Sequence, residues 1–395
     1  MSKLSRTTKK FRRYVIYFLV FAIVVIIIQS IYRYITSDQD IGGPNSSQYA
    51  YVNELFGEIS YPSISSMSVS DESTPSFSIS GQFSESAGSV NVYKVNKPRE
   101  TLGNSKKAQE IADNLNLGTS YELNGIILTW RSPNKELLEY NKLTNDVRFV
   151  NEGINIATLR KNKPNFLDIE KINNEVSSIV RDLSQINFGS QQDARMSYLL
   201  SAGGGYQTTE IPENADFIRT DFYIYKEIVS TRALTRAQEQ DPTTIRTESI
   251  SARLYLDNPT QGTTNIITSN QELSQFRNDE SNDQIREFNE LGIDISEEVA
   301  TYSLRTFEQA WEDVQDGKAF LKYLVKQGED PLDPYEPTNV KRFIVDPEKS
   351  KLGFFTTQEW TVYIFPIYVF EGIAELQDGT TAEFIFYAKA IETVE

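Results

Sequence analysis

Histidine and cysteine are both absent from the 395 residues of this chain. Without histidine there is no Ser-His-Asp or Cys-His catalytic arrangement and no histidine general base. Without cysteine there is no disulfide, no Cys/His zinc site and no cysteine-held iron–sulfur cluster. The phosphate-binding patterns GxxxxGK[ST] and strand-linked GxGxxG are missing as well. We therefore expect no catalytic residues, no metal site, no cofactor and no enzymatic activity.

Positive charge is scarce: 39 basic residues stand against 55 acidic ones, and the net charge is −16. Residues 1–40 hold seven basic and two acidic residues, so the remainder of the chain has a net charge of −21. A surface of this sign repels phosphate backbones. We expect no binding to nucleic acid.

Only one apolar run approaches the length of a membrane span. From Tyr14 to Tyr32 there is no charged residue, and about 19 residues of helix cover roughly 28 Å, close to the hydrocarbon thickness of a bilayer. Six basic residues precede the run, which by the positive-inside rule keeps the N-terminus in the cytoplasm. We predict a cytoplasmic tail (1–13), a transmembrane anchor in the lipid bilayer (14–35) and an extracytoplasmic body in a single-pass cell-membrane protein. A cleaved signal peptide is the alternative, although no A-x-A pattern follows the run.

Residues 36–89 form a polar linker and a Ser-rich segment. Serine alternates there with apolar residues such as Met67, Val69, Phe77 and Phe83. A period of two favours short strands laid along the body with serine facing water. A flexible stalk is the other interpretation of this composition.

The body predicts an α+β fold in which a helix followed by three strands occurs three times, in two regions (90–205 and 206–395). In the first unit, Ser105 is the expected N-cap of a helix that Gly118 ends. The expected strands of that unit lie at 126–130, 137–140 and 147–150. In the second unit, an amphipathic helix after Asn165 precedes strands at 195–200, 217–225 and 249–255.

The third unit has the strongest local signals. Thr306 and Gln309 have the spacing of a capping box, and Gly317 ends the predicted helix. Three strands are expected in NVKRFIV, EWTVYIFPIYVFEG and TAEFIFYAKAIE, with an Asp-Gly turn between the last two. A helix on one face of each antiparallel sheet would bury that face.

A few local features are candidate sites, and a structural role is favoured for each. Ser132 to Lys135 match S-x-x-K but are expected to form a hairpin turn, because a proline follows the serine and no KTG is present. DPLDPYEP (330–337) and DNPTQG (257–262) offer oxygen ligands for calcium but do not fit the EF-hand loop. GGGY (203–206) could approach a ligand, although a hairpin is favoured. Trp130, Trp311 and Trp360 could form a binding face, but core packing is the expectation.

The third unit resembles a known group of ectodomains. The residues that carry the resemblance are Ala310, Trp311, Gly317, Pro366, Tyr368, Phe370 and Gly372. Their order is similar to PepSY-like, cystatin-like ectodomains, and to the YycH/YycI type of membrane-anchored regulators of a cell-wall two-component system. The resemblance implies one transmembrane helix, a short cytoplasmic N-terminus and repeated helix-on-sheet units outside.

The function expected from these features is that of a non-enzymatic, membrane-anchored interaction or regulatory module for another membrane or envelope protein. A structural subunit of a cell-surface or secretion assembly, which would self-associate, is the alternative. A carboxylate-dependent hydrolase of envelope polymer is a third hypothesis, resting only on the abundance of acidic residues.

Overall fold

The computed structural model describes residues 52–70, 74–83, 88–161, 163, 167–184, 194–228, 251–270 and 284–392. The predicted tail (1–13) and anchor (14–35) lie outside these residues. Within the described ranges, no helix is long and apolar enough to cross a membrane. The described fold is α+β, as predicted, and it consists mostly of sheet.

The fold combines a few helices with many strands. In chain order, the helices are α1 (Leu102–Asn114), α2 (Ile156–Lys161), α3 (Ile169–Leu183) and α4 (Phe307–Gln315). The strands are β1 (Ser76–Ile79), β2 (Ser89–Val95), β3 (Glu122–Asn124), β4 (Ile127–Arg131), β5 (Glu136–Asn141), β6 (Val147–Asn151), β7 (Arg195–Ala202), β8 (Gly205–Thr209), β9 (Phe217–Phe222), β10 (Tyr225–Glu227), β11 (Ser251–Tyr255), β12 (Thr264–Ser269), β13 (Ile285–Glu290), β14 (Ile295–Ser303), β15 (Phe320–Lys326), β16 (Val340–Val345), β17 (Lys351–Phe355), β18 (Tyr363–Leu376) and β19 (Thr381–Lys389).

Nine of these strands form an antiparallel sheet, the first sheet, in the order β3-β4-β5-β6-β13-β12-β9-β7-β8. The apolar faces of α1 and α3 cover one side of it and pack on Trp130 and Phe288. On the opposite side, Leu159 of α2 packs against Phe217 and Ile267. The sheet is therefore buried on both sides over its centre, and all six residues of β12 are buried.

The other ten strands form the second sheet, which is organised around β18. This strand pairs with β16, β17 and β19, and its first two residues pair with β2. Phe307, Ala310, Trp311 and Val314 of α4 pack on the aromatic face of this sheet. Gly372 of β18 lies very close to the backbone of the neighbouring strand β16. A Cβ atom at this position would be 2.1 Å from the Ile344 carbonyl oxygen. The two pairs β1–β16 and β11–β17 are parallel.

The Ser-rich segment (residues 52–83, as far as described) lies along the body, as the first of the two interpretations predicts, although β1 is the only one of the expected short strands formed among its described residues. Phe77 in β1 stacks on Phe343 and meets Trp311 edge-on. Phe83 stacks on Phe307. Lys322 of β15 donates hydrogen bonds to the Ser65 carbonyl and hydroxyl oxygens, both at 2.9 Å. Apart from β1, the described part of this segment is irregular rather than stranded.

A cluster of one buried acid and two partly exposed cations joins the loop before β9 to α2. Asp216 is fully buried and accepts hydrogen bonds from Arg160, the nearest at 2.8 Å, while Lys163 Nζ lies 3.1 Å from its carboxylate. Burial alone would raise the pKa of Asp216, but hydrogen bonds from Arg160, from a backbone N–H and from the lysine lower it below its usual value.

Most predicted elements exist, and the capping box of α4 is confirmed at Thr306 and Gln309. The predicted N-cap of α1 is wrong: Thr101, not Ser105, accepts the hydrogen bond from the Asn104 backbone N–H at 3.3 Å. Helix α1 ends at Asn114 rather than at Gly118.

The second helix-plus-three-strand unit does not form a meander of its own. The strand predicted at 249–255 is present as β11, but it pairs with β10 and β17 of the second sheet. The predicted boundary between residues 205 and 206 falls at the start of β8, inside the first sheet. Residues 122–290 supply the first sheet, whereas the second sheet draws its strands from before, within and after that range.

Candidate functional site

The serine–lysine candidate is a turn. Ser132 and Lys135 lie in the β4–β5 connection, where the Lys135 backbone N–H donates to the Ser132 carbonyl at 3.2 Å. Lys135 has a φ of 64°, and the Ser132 hydroxyl donates to Glu136 Oε2 at 2.5 Å. The serine hydroxyl is thus bonded to a carboxylate rather than to the lysine, and the predicted hairpin turn is confirmed.

The other loop candidates also have structural roles. GGGY (203–206) forms the β7–β8 hairpin, and Gly203 and Gly204 both have positive φ. In the loop at 257–262, Asp257 accepts a hydrogen bond from Lys322 at 2.8 Å. In the loop at 330–337, Asp330 accepts one from the Thr208 backbone N–H at 2.6 Å. Among the described residues, no group of three or more acidic side chains is placed to hold a metal ion.

The three tryptophans do not share one role. Trp130 and Trp311 are buried in the two cores, as predicted. Trp360 is not in the core: it lies in the loop before β18 and is 42 % exposed. Its indole N–H donates to the Asn96 carbonyl oxygen at 3.1 Å, which fixes one edge of the ring.

Trp360 lines a groove at the junction of the two sheets. The cavity has a volume of about 310 Å³, at the lower end of the range of small-ligand pockets. We call it the junction groove. Four segments form it, namely 95–107 with the start of α1, the β5–β6 turn at 143–146, the β13–β14 link at 290–294, and the β17–β18 loop at 356–361.

Hydrogen bonds between these segments hold the groove in one shape. The Asn96 N–H donates to the Asp294 carbonyl at 2.8 Å, and the Val95 N–H donates to the Val362 carbonyl at 2.7 Å. Asn104 of α1 is buried and donates to the Lys142 carbonyl at 2.6 Å. These hydrogen bonds join the end of β2 to the β13–β14 link and to the β17–β18 loop, and they join α1 to the β5–β6 turn, so the groove is a preformed feature of the fold.

One wall of the groove is basic. From Lys94 to Lys107 the chain has five basic residues and one acidic residue, a net charge of +4 within a body of strongly negative charge. Lys97, Arg99 and Lys107 all line the groove. Within the described part of the chain, their side chains have no hydrogen-bond or ion-pair partner, whereas Lys94 is bound to Glu298 at 2.8 Å. That hydrogen bond raises the pKa of Lys94.

The groove also has acidic and aromatic lining residues. Asp294, Glu359 and Trp360 lie there with exposed side chains. Asp146 serves the structure, since its carboxylate accepts hydrogen bonds from the Gly292 N–H at 2.9 Å and from the Thr144 hydroxyl. Glu290 also lines the groove but is only 3 % exposed. An occupant of the groove would therefore meet three cations, an indole ring and two accessible carboxylates.

This groove was not among the sites predicted from the sequence. The excess of cations between Lys94 and Lys107 was a readable signal, because it opposes the charge of the rest of the body. The exposure of Trp360 could not be predicted, because EWTVYIF has the composition of a buried strand. In the structure this strand begins only at Tyr363.

Comparisons with known proteins gave one similar solved structure and no family. No protein-family model and no curated protein matches it. It is similar to a solved structure described as an uncharacterized protein from Eubacterium rectale ATCC 33656, with a TM-score of 0.40 and 11 % sequence identity. That likeness covers 78 % of this chain and 86 % of the other. At this TM-score it supports no inference about fold or function.

Proposed function

We propose that this chain is a non-enzymatic, membrane-anchored extracytoplasmic protein that binds another envelope protein through the junction groove. The observation that carries the proposal is the groove itself. It combines an exposed indole ring, Trp360, with three cations that have no partner in the described structure. Aromatic and arginine side chains in a preformed depression are the groups that most often dominate binding energy at protein interfaces.

The predicted anchor gives the binding site its context. If residues 14–35 hold the body at the outer face of the cell membrane, a partner in the same membrane is present at high effective concentration. A groove of modest size would then suffice for stable association. The proposed likeness of the α4–β18 region to PepSY-like and YycH/YycI-type ectodomains, including repeated helix-on-sheet units, agrees with a regulatory role.

A structural subunit is the second candidate, and one observation favours it. Strand β3 is the edge of the first sheet, and all three of its residues are exposed. In and beside it, Tyr121, Leu123 and Ile126 expose between 39 % and 57 % of their surface. An exposed apolar edge can pair with another chain, so regular self-association would proceed from this edge.

The experiment is photo-crosslinking of the full-length protein in its own cells. A photoreactive residue replaces Gln358, which is exposed and lines the groove. The matched control replaces Glu348, which is exposed in the turn at the other end of β17. Captured proteins are identified by mass spectrometry.

Capture of another envelope protein at position 358, and not at 348, is the expected result. Ladders of the protein crosslinked to itself, with no other protein captured at 358, would reject the proposal and favour the structural subunit. Equal capture at both positions would also reject the groove as the binding site.

A further inference from the structure

The charges of the junction groove point to the chemistry of its occupant, an inference that rests on the proposed function. The body of the protein is strongly acidic, yet the wall formed by Lys97, Arg99 and Lys107 carries only positive charge. Elsewhere in the described structure most basic side chains pair with acids: Lys94 with Glu298 and Lys326 with Asp378 are examples. The three groove cations are therefore available for an anionic ligand.

The neighbouring residues explain why these cations stay free of internal partners. Glu100, the one acid in the stretch from Lys94 to Lys107, is bound to Lys142, whose side chain is almost fully buried. The carboxylate of Asp146 is occupied by Thr144 and Gly292. Glu100 and Asp146 therefore hold the groove together and do not neutralise Lys97, Arg99 or Lys107.

We propose that the junction groove binds an acidic, extended segment of a polypeptide that also carries an apolar side chain. Its carboxylates pair with Lys97, Arg99 and Lys107, and its apolar side chain packs on Trp360 and Val362. Both of these apolar residues are about 40 % exposed. The indole N–H of Trp360 is held by the Asn96 carbonyl, and the Val95–Val362 hydrogen bond holds Val362 just outside the lining of the groove.

The two exposed carboxylates of the groove favour a polypeptide over a polymer of phosphate groups. Asp294 and Glu359 are exposed and line the same groove as the three cations. A polymer with a charge on every repeat would bring anions against these two carboxylates, and like charges at close range are unfavourable. A polypeptide strand carries different side chains on its two faces, so its carboxylates can meet the three cations while its apolar and amide groups lie against the indole ring and the two carboxylates of the groove.

The test uses the full chain in nanodiscs and three fluorescent probes. The first is a peptide of alternating Glu and Phe flanked by Gly, the second replaces every Glu by Lys, and the third is polyphosphate. The groove variant is Lys97→Gln, Arg99→Gln and Lys107→Gln. The control variant removes the same charges elsewhere, at the exposed positions Lys161→Gln, Arg181→Gln and Lys341→Gln. Binding is followed by fluorescence anisotropy.

The acidic peptide is expected to bind the native chain and the control variant alike, and the groove variant about tenfold more weakly or worse, because three charge contacts are lost. Binding should also weaken with salt, and Trp360→Ala should reduce affinity for the acidic peptide. Preference for the lysine peptide, preference for polyphosphate, or equal loss in both triple variants would overturn the proposal.

This test is separable from the test of the proposed function. If crosslinking at Gln358 captures an envelope protein while the acidic peptide fails to bind, the interaction module stands and the acidic ligand is rejected. If neither result is obtained, the groove is not a recognition site.

Discussion

The attachment of the Ser-rich segment to the second sheet depends on Phe77, and its removal gives a quantitative prediction. Full truncation of a buried phenylalanine costs about 3–5 kcal/mol. Phe77 is partly buried, with its ring 5.5 Å from Phe343 and 5.9 Å from Trp311, so we expect Phe77→Ala to cost about 2 kcal/mol. Among the described strands, β1 pairs with β16 alone. Strand β1 can therefore separate from β16 without breaking another pair of described strands. We expect Phe77→Ala to destabilise this local pairing and not the whole fold.

Hydrogen exchange of the full-length protein in nanodiscs measures this effect. A cost of about 2 kcal/mol corresponds to roughly thirtyfold faster exchange of the β1 amides. The Ser80 N–H, which donates to the Val345 carbonyl at 3.0 Å, should respond in the same way. Amides of the first sheet should exchange at their native rates.

The matched control is Ile79→Ala on the same strand. Ile79 is 38 % exposed and not part of the aromatic cluster, so its truncation should cost less than about 1 kcal/mol. If Phe77→Ala and Ile79→Ala accelerate exchange equally, or if Phe77→Ala leaves β1 protected, packing of the phenylalanine does not hold the segment and the reasoning is refuted.

Three further predictions concern stability. Asp216→Asn should lower the free energy of unfolding by about 2 kcal/mol at neutral pH, because the buried carboxylate loses its charge-assisted hydrogen bonds from Arg160 and Lys163, two partly exposed cations that water can still solvate. The pKa of Asp216 is lowered in the folded state. The stability that ionised Asp216 contributes is therefore fully present above its unfolded pKa of about 3.9, and it is lost as the pH falls through the folded pKa. In denaturant titrations, acid should destabilise the native chain more than the variant. Gly372→Ala should lower the free energy of unfolding by about 3 kcal/mol or more, since the added Cβ would clash with a β16 carbonyl. Gly379→Ala, at a φ of 84° in open space, should lower it by only about 1 kcal/mol. Similar melting temperatures for these two variants would contradict the close approach of β16 to Gly372. Thr101→Ala should lower the free energy of unfolding by about 1 kcal/mol, because α1 loses its N-cap, whereas Ser105→Ala should leave the melting temperature unchanged. A larger loss of stability for Ser105→Ala than for Thr101→Ala would show that Ser105 is the cap.

Local signals in the sequence were sufficient to find the elements whose pattern is one-sided. Helix α3 shows apolar residues at spacings of three and four because one face packs on the first sheet. The capping box at Thr306 and Gln309 is a contact between near neighbours, so it too is visible in sequence. The pairing of β16, β18 and β19 followed the chain order closely enough to be predicted.

The features that were missed depend on residues far apart in the chain. Strand β12 is buried on both faces and has the sequence TNIITS, so it shows neither alternation nor an apolar run. Strand β11 was found, but its periodicity contains no information about which sheet it joins. The junction groove is built from four separate segments, and only the cation excess of one of them was local enough to be read.

The central position of β18 sets the order in which the second sheet can form during synthesis. Strand β2 pairs with β14 and β18. About 270 residues separate β2 from β18, so β18 is synthesised roughly 15–50 s after β2 at ordinary rates of translation. All described strands of the first sheet emerge earlier and can pair among themselves. Until residues 363–389 are complete, β2 and β16 lack their common partner β18, and they have open edges that other chains could bind. A chaperone that covers these edges should therefore matter more for production of this protein than any step in the folding of the first sheet.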